Sequence, residues 1–138
     1  MLIAYGSRYG STEEIASEIG KVLDAEGYKV DIIDLKGNEK PPLELGEYDG
    51  YLVGSGIKMG KWTKEAEGFL KDNAKRFRPG SPLAMFVSCG QVTVDHGDAV
   101  SKYLTNIMEK HGIEADIYDA FGPLYDLTDD SRMGFFGK

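Results

Sequence analysis

The residues best suited to chemistry are Ser7 to Thr12, which read SRYGST. Three hydroxyls, one glycine and a run of backbone N–H groups stand directly before a segment with helical periodicity. The start of a helix presents free N–H groups and partial positive charge, so this loop suits a phosphate monoester. The sequence contains neither GxxxxGK[ST] nor GxGxxG, which excludes a Walker loop and a dinucleotide fingerprint. Ser11 and Glu14 also form a capping-box pattern, so a capped turn without a ligand fits the hexapeptide equally well.

Two further loops combine glycine with small or flat side chains. One reads Ser55-Gly56-Ile57-Lys58-Met59-Gly60-Lys61-Trp62, and the other reads Ser88-Cys89-Gly90-Gln91-Val92-Thr93-Val94. Glycine lets backbone amides approach a flat ring closely, and Ile57, Met59 or Trp62 could cover one face of that ring. Trp62 fits a second role equally well, as the apolar lead into the following helix. Cys89 fits a small residue beside the ring better than a nucleophile, because no base is placed near it in sequence.

The segments around these loops predict alternating strands and helices. Short apolar runs predict buried strands, and apolar residues at helical spacing predict helices. We expect strands at 2–5, 28–35, 48–56, 82–88 and 113–121, and helices from about Ser11 to Gly27, over 63–77 and from about Asp95 to Gly112. Residues 36–47, with paired prolines, predict a crossover holding at most one short turn.

This alternation predicts an α/β fold over residues 1–138 as a single domain. A parallel sheet of five strands is expected, doubly wound, with helices on both faces in three α/β/α layers. Ligands of such sheets bind at the carboxyl ends of the strands. The three glycine-bearing loops all fall on that edge.

The sequence resembles the flavodoxin family over nearly the whole chain through the fifth strand. SRYGST is similar to the family's phosphate loop, GSGIKMG to its second loop and SCGQ to its third loop. The resemblance implies strand order 2-1-3-4-5 and non-covalently bound FMN, with the first loop at the phosphate and the other two around the isoalloxazine ring. The implied cofactor-binding residues are Ser7, Arg8, Tyr9, Gly10, Ser11, Thr12, Ser55, Gly56, Ile57, Lys58, Met59, Gly60, Trp62, Ser88, Cys89, Gly90 and Gln91.

The resemblance implies an electron carrier that accepts electrons from a low-potential donor such as ferredoxin, without acid or base catalysis. GSGIKMGKW is also similar to the second loop of flavodoxin-like protoporphyrinogen oxidases, which implies the alternative of an FMN-dependent oxidoreductase. Residues 88–97 contain no aromatic side chain, although flavodoxins typically place a tyrosine in this loop. One flavin face is therefore expected to be open, or covered by Val94 or a partner. A response-regulator-like module lacks support, because Ser7 and Arg8 stand where its clustered aspartates belong.

Three lysines, Lys58, Lys61 and Lys64, flank the second loop, where relatives hold the reduced flavin among acidic residues. A cation near the ring favours the anionic reduced flavin, so we expect a less negative potential than in acidic relatives. Three solvated lysines at the start of a helix explain the pattern equally well. The same lysines form a basic patch that could dock an acidic redox partner.

Composition limits the remaining function classes. Lys+Arg number 16 against 23 Asp+Glu, and the net charge of -7 disfavours nucleic-acid binding. One cysteine excludes an internal disulfide and a Cys-clustered metal site, and no metal is expected. With no membrane-length apolar run and no signal-like start after Met1, we expect a cytoplasmic protein.

A sheet of this kind usually ends with a helix that covers one of its faces, and the last seventeen residues, 122–138, do not assure that helix. We therefore expect Met133, Phe135 and Phe136 either to cover the strip of the sheet that is left exposed or to form a homodimer contact together with that strip.

Overall fold

The computed structural model describes residues 1–7, 11–35, 45–58, 61–88 and 96–121, with the backbone alone of Ser11, Lys58 and His96. The strands within these residues are β1 (Leu2–Gly6), β2 (Asp31–Asp34), β3 (Tyr51–Lys58), β4 (Lys61–Trp62), β5 (Leu83–Ser88) and β6 (Ile117–Phe121). Five of them are parallel neighbours in the order β2-β1-β3-β5-β6, and β4 pairs antiparallel with β3. The predicted doubly wound α/β fold and its strand order are confirmed, and β4 is an additional strand that the sequence pattern did not predict.

Helices cover both faces of the sheet. Those in the described residues are α1 (Ser11–Ala25), α2 (Lys64–Asn73), α3 (His96–Val100) and α4 (Asn106–His111). A π-helical turn, Ser101–Thr105, joins α3 to α4, and 3₁₀ turns lie at Leu45–Glu47 and Ala74–Arg76. None of the helices in these residues is both long enough and apolar enough to cross a bilayer.

Residues of β1 alternate between two apolar cores, as the two-residue period of a strand requires. Ile3 and Tyr5 pack with Ile15 and Ala16 of α1 and with Phe86. Leu2 and Ala4 belong to a larger core on the opposite face, to which α2 contributes Phe69 and Leu70 and the α3–α4 segment contributes Leu104 and Ile107. All five residues of β1 are buried, which confirms the prediction of a strand covered on both faces.

Boundaries differ from the sequence-based expectations at several places. The strand expected at 48–56 runs from Tyr51 to Lys58, and the strand expected at 113–121 begins at Ile117. β2 has four residues because its register with β1 runs only from Leu2↔Asp31 to Tyr5↔Asp34. The helix expected over 63–77 leaves α geometry after Asn73 and continues as a 3₁₀ turn. The helix expected from about Asp95 to Gly112 contains the π-helical turn, and the predicted tail contact of 122–138 lies outside the described residues.

Candidate functional site

The strand register brings the predicted loops to one edge of the sheet. Gly6 of β1 pairs with Ser55 of β3, Gly56 pairs with Ser88 of β5, and Ser88 pairs with Phe121 of β6. Neighbouring strands lie about 4.8 Å apart, so the ends of β1 and β5 are separated by about 10 Å. That separation matches the size of a fused-ring ligand, and we call the ends of β1, β3 and β5 the carboxyl edge.

Helix α1 begins at this edge, just beyond the end of β1. Thr12, in its first turn, is 1% exposed, and its side chain makes no hydrogen bond to another residue in the described part of the chain. A buried hydroxyl without a partner costs about 1–3 kcal/mol, so this position favours a bound acceptor or donor. The backbone N–H groups of the first helical turn lie at the same edge, where the partial positive charge of a helix start favours an anion.

A second buried hydroxyl ends β5. Ser88 is 5% exposed, and among the described residues its side chain likewise has no hydrogen-bond partner. Ser7, which follows β1, is half-buried. Within the described part of the chain, the carboxyl edge therefore has two buried hydroxyls without a hydrogen-bond partner, Thr12 in the first turn of α1 and Ser88 at the end of β5.

The Ser55 hydroxyl, in contrast, is already engaged within the protein. It donates to the Gly56 carbonyl oxygen (2.8 Å), accepts from the Thr63 backbone N–H (2.9 Å) and lies 3.3 Å from Thr63 Oγ1. Thr63 Oγ1 in turn accepts from the Ala66 N–H (3.2 Å) and so caps α2. The amino end of α2 is thereby fixed at the carboxyl edge, and the prediction that Ser55 binds a ligand now rests on its backbone.

The second loop is a β-hairpin in part, because Ile57 pairs with Trp62 and Lys58 pairs with Lys61. Trp62 is 4% exposed within the larger core, and its indole Nε1 donates to the Tyr103 carbonyl oxygen at 2.6 Å. This burial agrees with the alternative role of Trp62, as the apolar residue that precedes α2. It leaves little of the indole surface accessible to a ligand. Ile57 is half-buried, and Lys61 and Lys64 are exposed.

The structure thus brings together Ser7, Thr12, Ser55, Gly56, Ile57 and Ser88 at one edge. Eight predicted site residues lie outside the described residues, namely Arg8, Tyr9, Gly10, Met59, Gly60, Cys89, Gly90 and Gln91. Two groups were missed, the Thr63 side chain and the Tyr103 carbonyl. A threonine followed by Glu65 and Glu67 is an N-cap signal that could have identified the first, whereas a backbone acceptor leaves no signal in sequence.

Behind this edge, an ion-pair cluster joins α2 to α4. The Glu67 carboxylate lies 2.8 Å from Lys110 Nζ and 2.8 Å from His111 Nε2. The hydrogen bond from Lys110 holds the pKa of Glu67 below its usual value; partial burial opposes this shift, and the hydrogen bond with His111 assists it. The cluster holds together the two helices that cover the same face of the sheet.

Comparison with known proteins agrees with this geometry. The flavodoxin domain profile matches residues 2–136. The chain belongs to the flavodoxin family. This flavodoxin-family chain resembles oxidised flavodoxin 2 from Bacillus cereus with a TM-score of 0.65 and 26% identity, covering 96% of this chain and 89% of that one. It resembles a Lactobacillus acidophilus flavoprotein, solved in complex with FMN, with a TM-score of 0.61 and 17% identity, covering 99% and 97% of the two chains.

The flavodoxin-family chain also matches an enzyme. It is 32% identical over 75 residues to protoporphyrinogen IX dehydrogenase [quinone] from Escherichia coli K12. The matched segment is 54% of this chain and 40% of that protein, so it spans less than half of the relative's length.

Proposed function

We propose that the chain is a flavodoxin-type electron carrier that binds FMN non-covalently at the carboxyl edge. The observation that carries the proposal is the pair of buried hydroxyls, Thr12 and Ser88, which lack partners among the described residues at the edge where three ligand-type loops start. Membership of the flavodoxin family supports it independently. The buried hydroxyls of Thr12 and Ser88 therefore offer hydrogen bonds that fit FMN, the cofactor that the family implies.

The phosphate end of the cofactor would bind at the first loop and the start of α1. The amides of the first helical turn donate to phosphate oxygens, and the partial positive charge of the helix terminus favours the dianion. The Thr12 hydroxyl would donate to one phosphate oxygen and so gain the partner that it lacks among the described residues. Ser7, Arg8, Tyr9, Gly10 and Ser11 complete the proposed loop.

The ring would lie over the ends of β3 and β5. We propose that the backbone of residues 55–60 and 88–91 would surround it and that the Ser88 hydroxyl would offer a hydrogen bond at its edge. When bound, FMN accepts and releases one or two electrons, and the protein supplies orientation, hydrogen bonds and the electrostatic setting. No side chain of the chain has to act as an acid or base.

An absorption spectrum of the purified protein tests the proposal, followed by denaturation and identification of any released ligand. Released FMN supports the proposal. If the protein is colourless and takes up no FMN on addition, the electron-carrier function is excluded.

The partners proposed are redox proteins, with a ferredoxin as a donor of suitable potential, in a reducing cytoplasm. Lys61 and Lys64 are exposed beside the second loop and provide positive charge on a protein of net charge -7. An acidic partner would dock there, because opposite charges steer association. Ionic strength should then lower the rate of electron transfer to an acidic partner and leave transfer to a neutral mediator unchanged.

We also propose a homodimer. Ile117 and Tyr118, whose side chains project to opposite faces of β6, are 68% and 41% exposed, and β6 is the edge strand of the sheet in the described residues, so this exposed edge favours contact with a second copy. Light scattering at micromolar concentration should report twice the chain mass. A single species of 15.2 kDa would exclude the dimer.

The match to the E. coli dehydrogenase favours one alternative, an FMN-dependent oxidoreductase that oxidises a porphyrinogen or a similar flat substrate at an open flavin face. Anaerobic mixing with a porphyrinogen separates the two functions. An oxidoreductase would bleach the flavin absorption while porphyrin forms at about one molecule for every three flavins reduced, because the conversion removes six electrons and each FMN accepts two. A carrier would keep its oxidised spectrum under those conditions and lose it only with a reduced redox protein.

A further inference from the structure

We infer that Trp62 is a positioning residue, which fixes the second loop relative to the third loop through the hydrogen bond from its indole Nε1 to the Tyr103 carbonyl oxygen. The inference rests on the proposed function, because those two loops are the ones assigned to the flavin ring. In this role Trp62 acts on the flavin ring indirectly, by holding the loops in place, and does not have to contact the ring itself.

The second loop is attached to Trp62 through the hairpin. β4 pairs with the end of β3 at Ile57↔Trp62, so the residue that carries the indole is hydrogen-bonded into the strand from which the second loop leaves. The indole is 4% exposed in the larger core and its N–H···O distance to Tyr103 is 2.6 Å across 41 residues of sequence. This hydrogen bond is partly buried, and breaking it is costly because the N–H of the buried Trp62 indole would lose its partner.

The acceptor belongs to the helix that follows the third loop. Tyr103 lies in the π-helical turn Ser101–Thr105, which continues α3 from His96. At 1.5 Å per residue, the acceptor is about 10 Å along this helical segment from the end of the loop. π-Helical turns are uncommon and are frequent near functional sites. One hydrogen bond therefore joins the strand that closes the second loop to the helix that begins after the third.

A rigid link of this kind should matter for binding. Loops held in place before a ligand arrives lose less conformational entropy when it binds. The Ser55–Thr63 hydrogen bonds fix the amino end of α2 at the base of the second loop, and the Trp62 side chain extends that support across to the neighbouring helix.

The test replaces Trp62 with Phe, which keeps an aromatic ring in the core and removes the N–H. A second variant carries β-(3-benzothienyl)alanine at position 62, which keeps the bicyclic shape and replaces the N–H by sulfur. Both should weaken FMN binding by about 2- to 10-fold, the range of a single hydrogen bond, and shift the potential of the bound flavin. In the FMN-free proteins, amide hydrogen exchange should accelerate at Ile57 and in the π-helical turn.

Tyr51→Phe is the matched control. The Tyr51 hydroxyl donates to the Leu45 carbonyl oxygen and accepts from the Arg78 N–H at the opposite edge of the sheet. This variant should lose comparable stability while FMN affinity, flavin potential and exchange at Ile57 stay at wild-type values.

Two results would overturn the inference while leaving the proposed function intact: FMN affinity and potential unchanged in both position-62 variants, or the same changes in Tyr51→Phe. If the wild-type protein binds no FMN, the proposed function fails. Hydrogen exchange then decides alone: accelerated exchange confined to the position-62 variants supports the link between the loops, and unchanged exchange overturns it.

Discussion

Gly6 at the end of β1 lies against Thr63 so closely that a Cβ at position 6 would overlap Thr63 Oγ1. The same Cβ would lie 3.1 Å from the Thr63 Cβ and 3.2 Å from the Ala66 Cβ. Because Thr63 caps α2 and bonds to Ser55, this contact brings the start of α2, the end of β1 and the end of β3 together. The glycine is required here by close packing.

Gly6→Ala should lower the free energy of unfolding by about 1–3 kcal/mol, because the methyl group would displace Thr63 from its hydrogen bonds. Urea denaturation measures the change. Gly68→Ala is the matched control, since Gly68 is in the interior of α2 and a Cβ there meets nothing within 4 Å. That variant should be more stable than the wild type by about 0.5–1 kcal/mol. Equal stability of Gly6→Ala and the wild type would contradict the close approach.

Glu67→Gln should reduce stability at neutral pH by about 0.5–1 kcal/mol, through loss of the ion pair to Lys110 and weakening of the hydrogen bond with His111. The pKa of Glu67 is lowered in the folded protein from its usual 4.5, so its stabilising effect is fully present above that pH. The effect is lost as pH falls through the lowered folded-state pKa.

Denaturation of both proteins between pH 3 and pH 7 checks this, with Glu65→Gln on an exposed position of the same helix as control. The wild type and Glu67→Gln should converge in stability at the acid end. A constant difference across the whole range would contradict the ion pairs as its source.

Lys61→Gln should make the potential of the bound flavin more negative, because it removes positive charge beside the second loop. An exposed charge contributes about 0.2–1 kcal/mol, which corresponds to about 10–40 mV for one electron. Spectroelectrochemistry provides the measurement. Lys71→Gln removes another exposed lysine, near the opposite end of α2, and should leave the potential unchanged. Equal shifts in the two variants would show that only net charge matters.

Thr12→Val should leave the ligand-free protein as stable as the wild type or more stable. The valine keeps the side-chain shape and removes a buried hydroxyl that has no partner among the described residues. Thermal unfolding without FMN measures this. A loss of more than about 1 kcal/mol would show that the hydroxyl is already satisfied inside the protein.

Local patterns were sufficient to predict the main strands, the helices and their order. The buried run Leu2–Tyr5 predicted a central strand, and Gly27 and Gly112, with φ of +96° and +64°, have the left-handed geometry expected after α1 and α4. β4 escaped prediction because a two-residue strand contains too few residues to show any periodicity. The π-helical turn also lacks a pattern, since Tyr103 and Leu104 fit α-helical spacing equally well.

The site was predictable as a set of loops at one edge but not as a set of side-chain roles. Ser55 and Thr12 look alike in sequence, yet Ser55 is bonded to Thr63 while Thr12 has no partner among the described residues. Trp62 could be assigned to the core only once its hydrogen bond to Tyr103 was known, because that bond joins residues far apart in the chain.

The central claim, that the loop ending at Thr12 binds the phosphate of FMN, is tested most directly by titrating the ligand-free protein with FMN and with riboflavin, which lacks the phosphate. The wild type should bind FMN at least about tenfold more tightly than riboflavin, and Thr12→Val should reduce that ratio while leaving riboflavin affinity unchanged. Equal affinity of the wild type for the two ligands, or no binding of either, would contradict the claim.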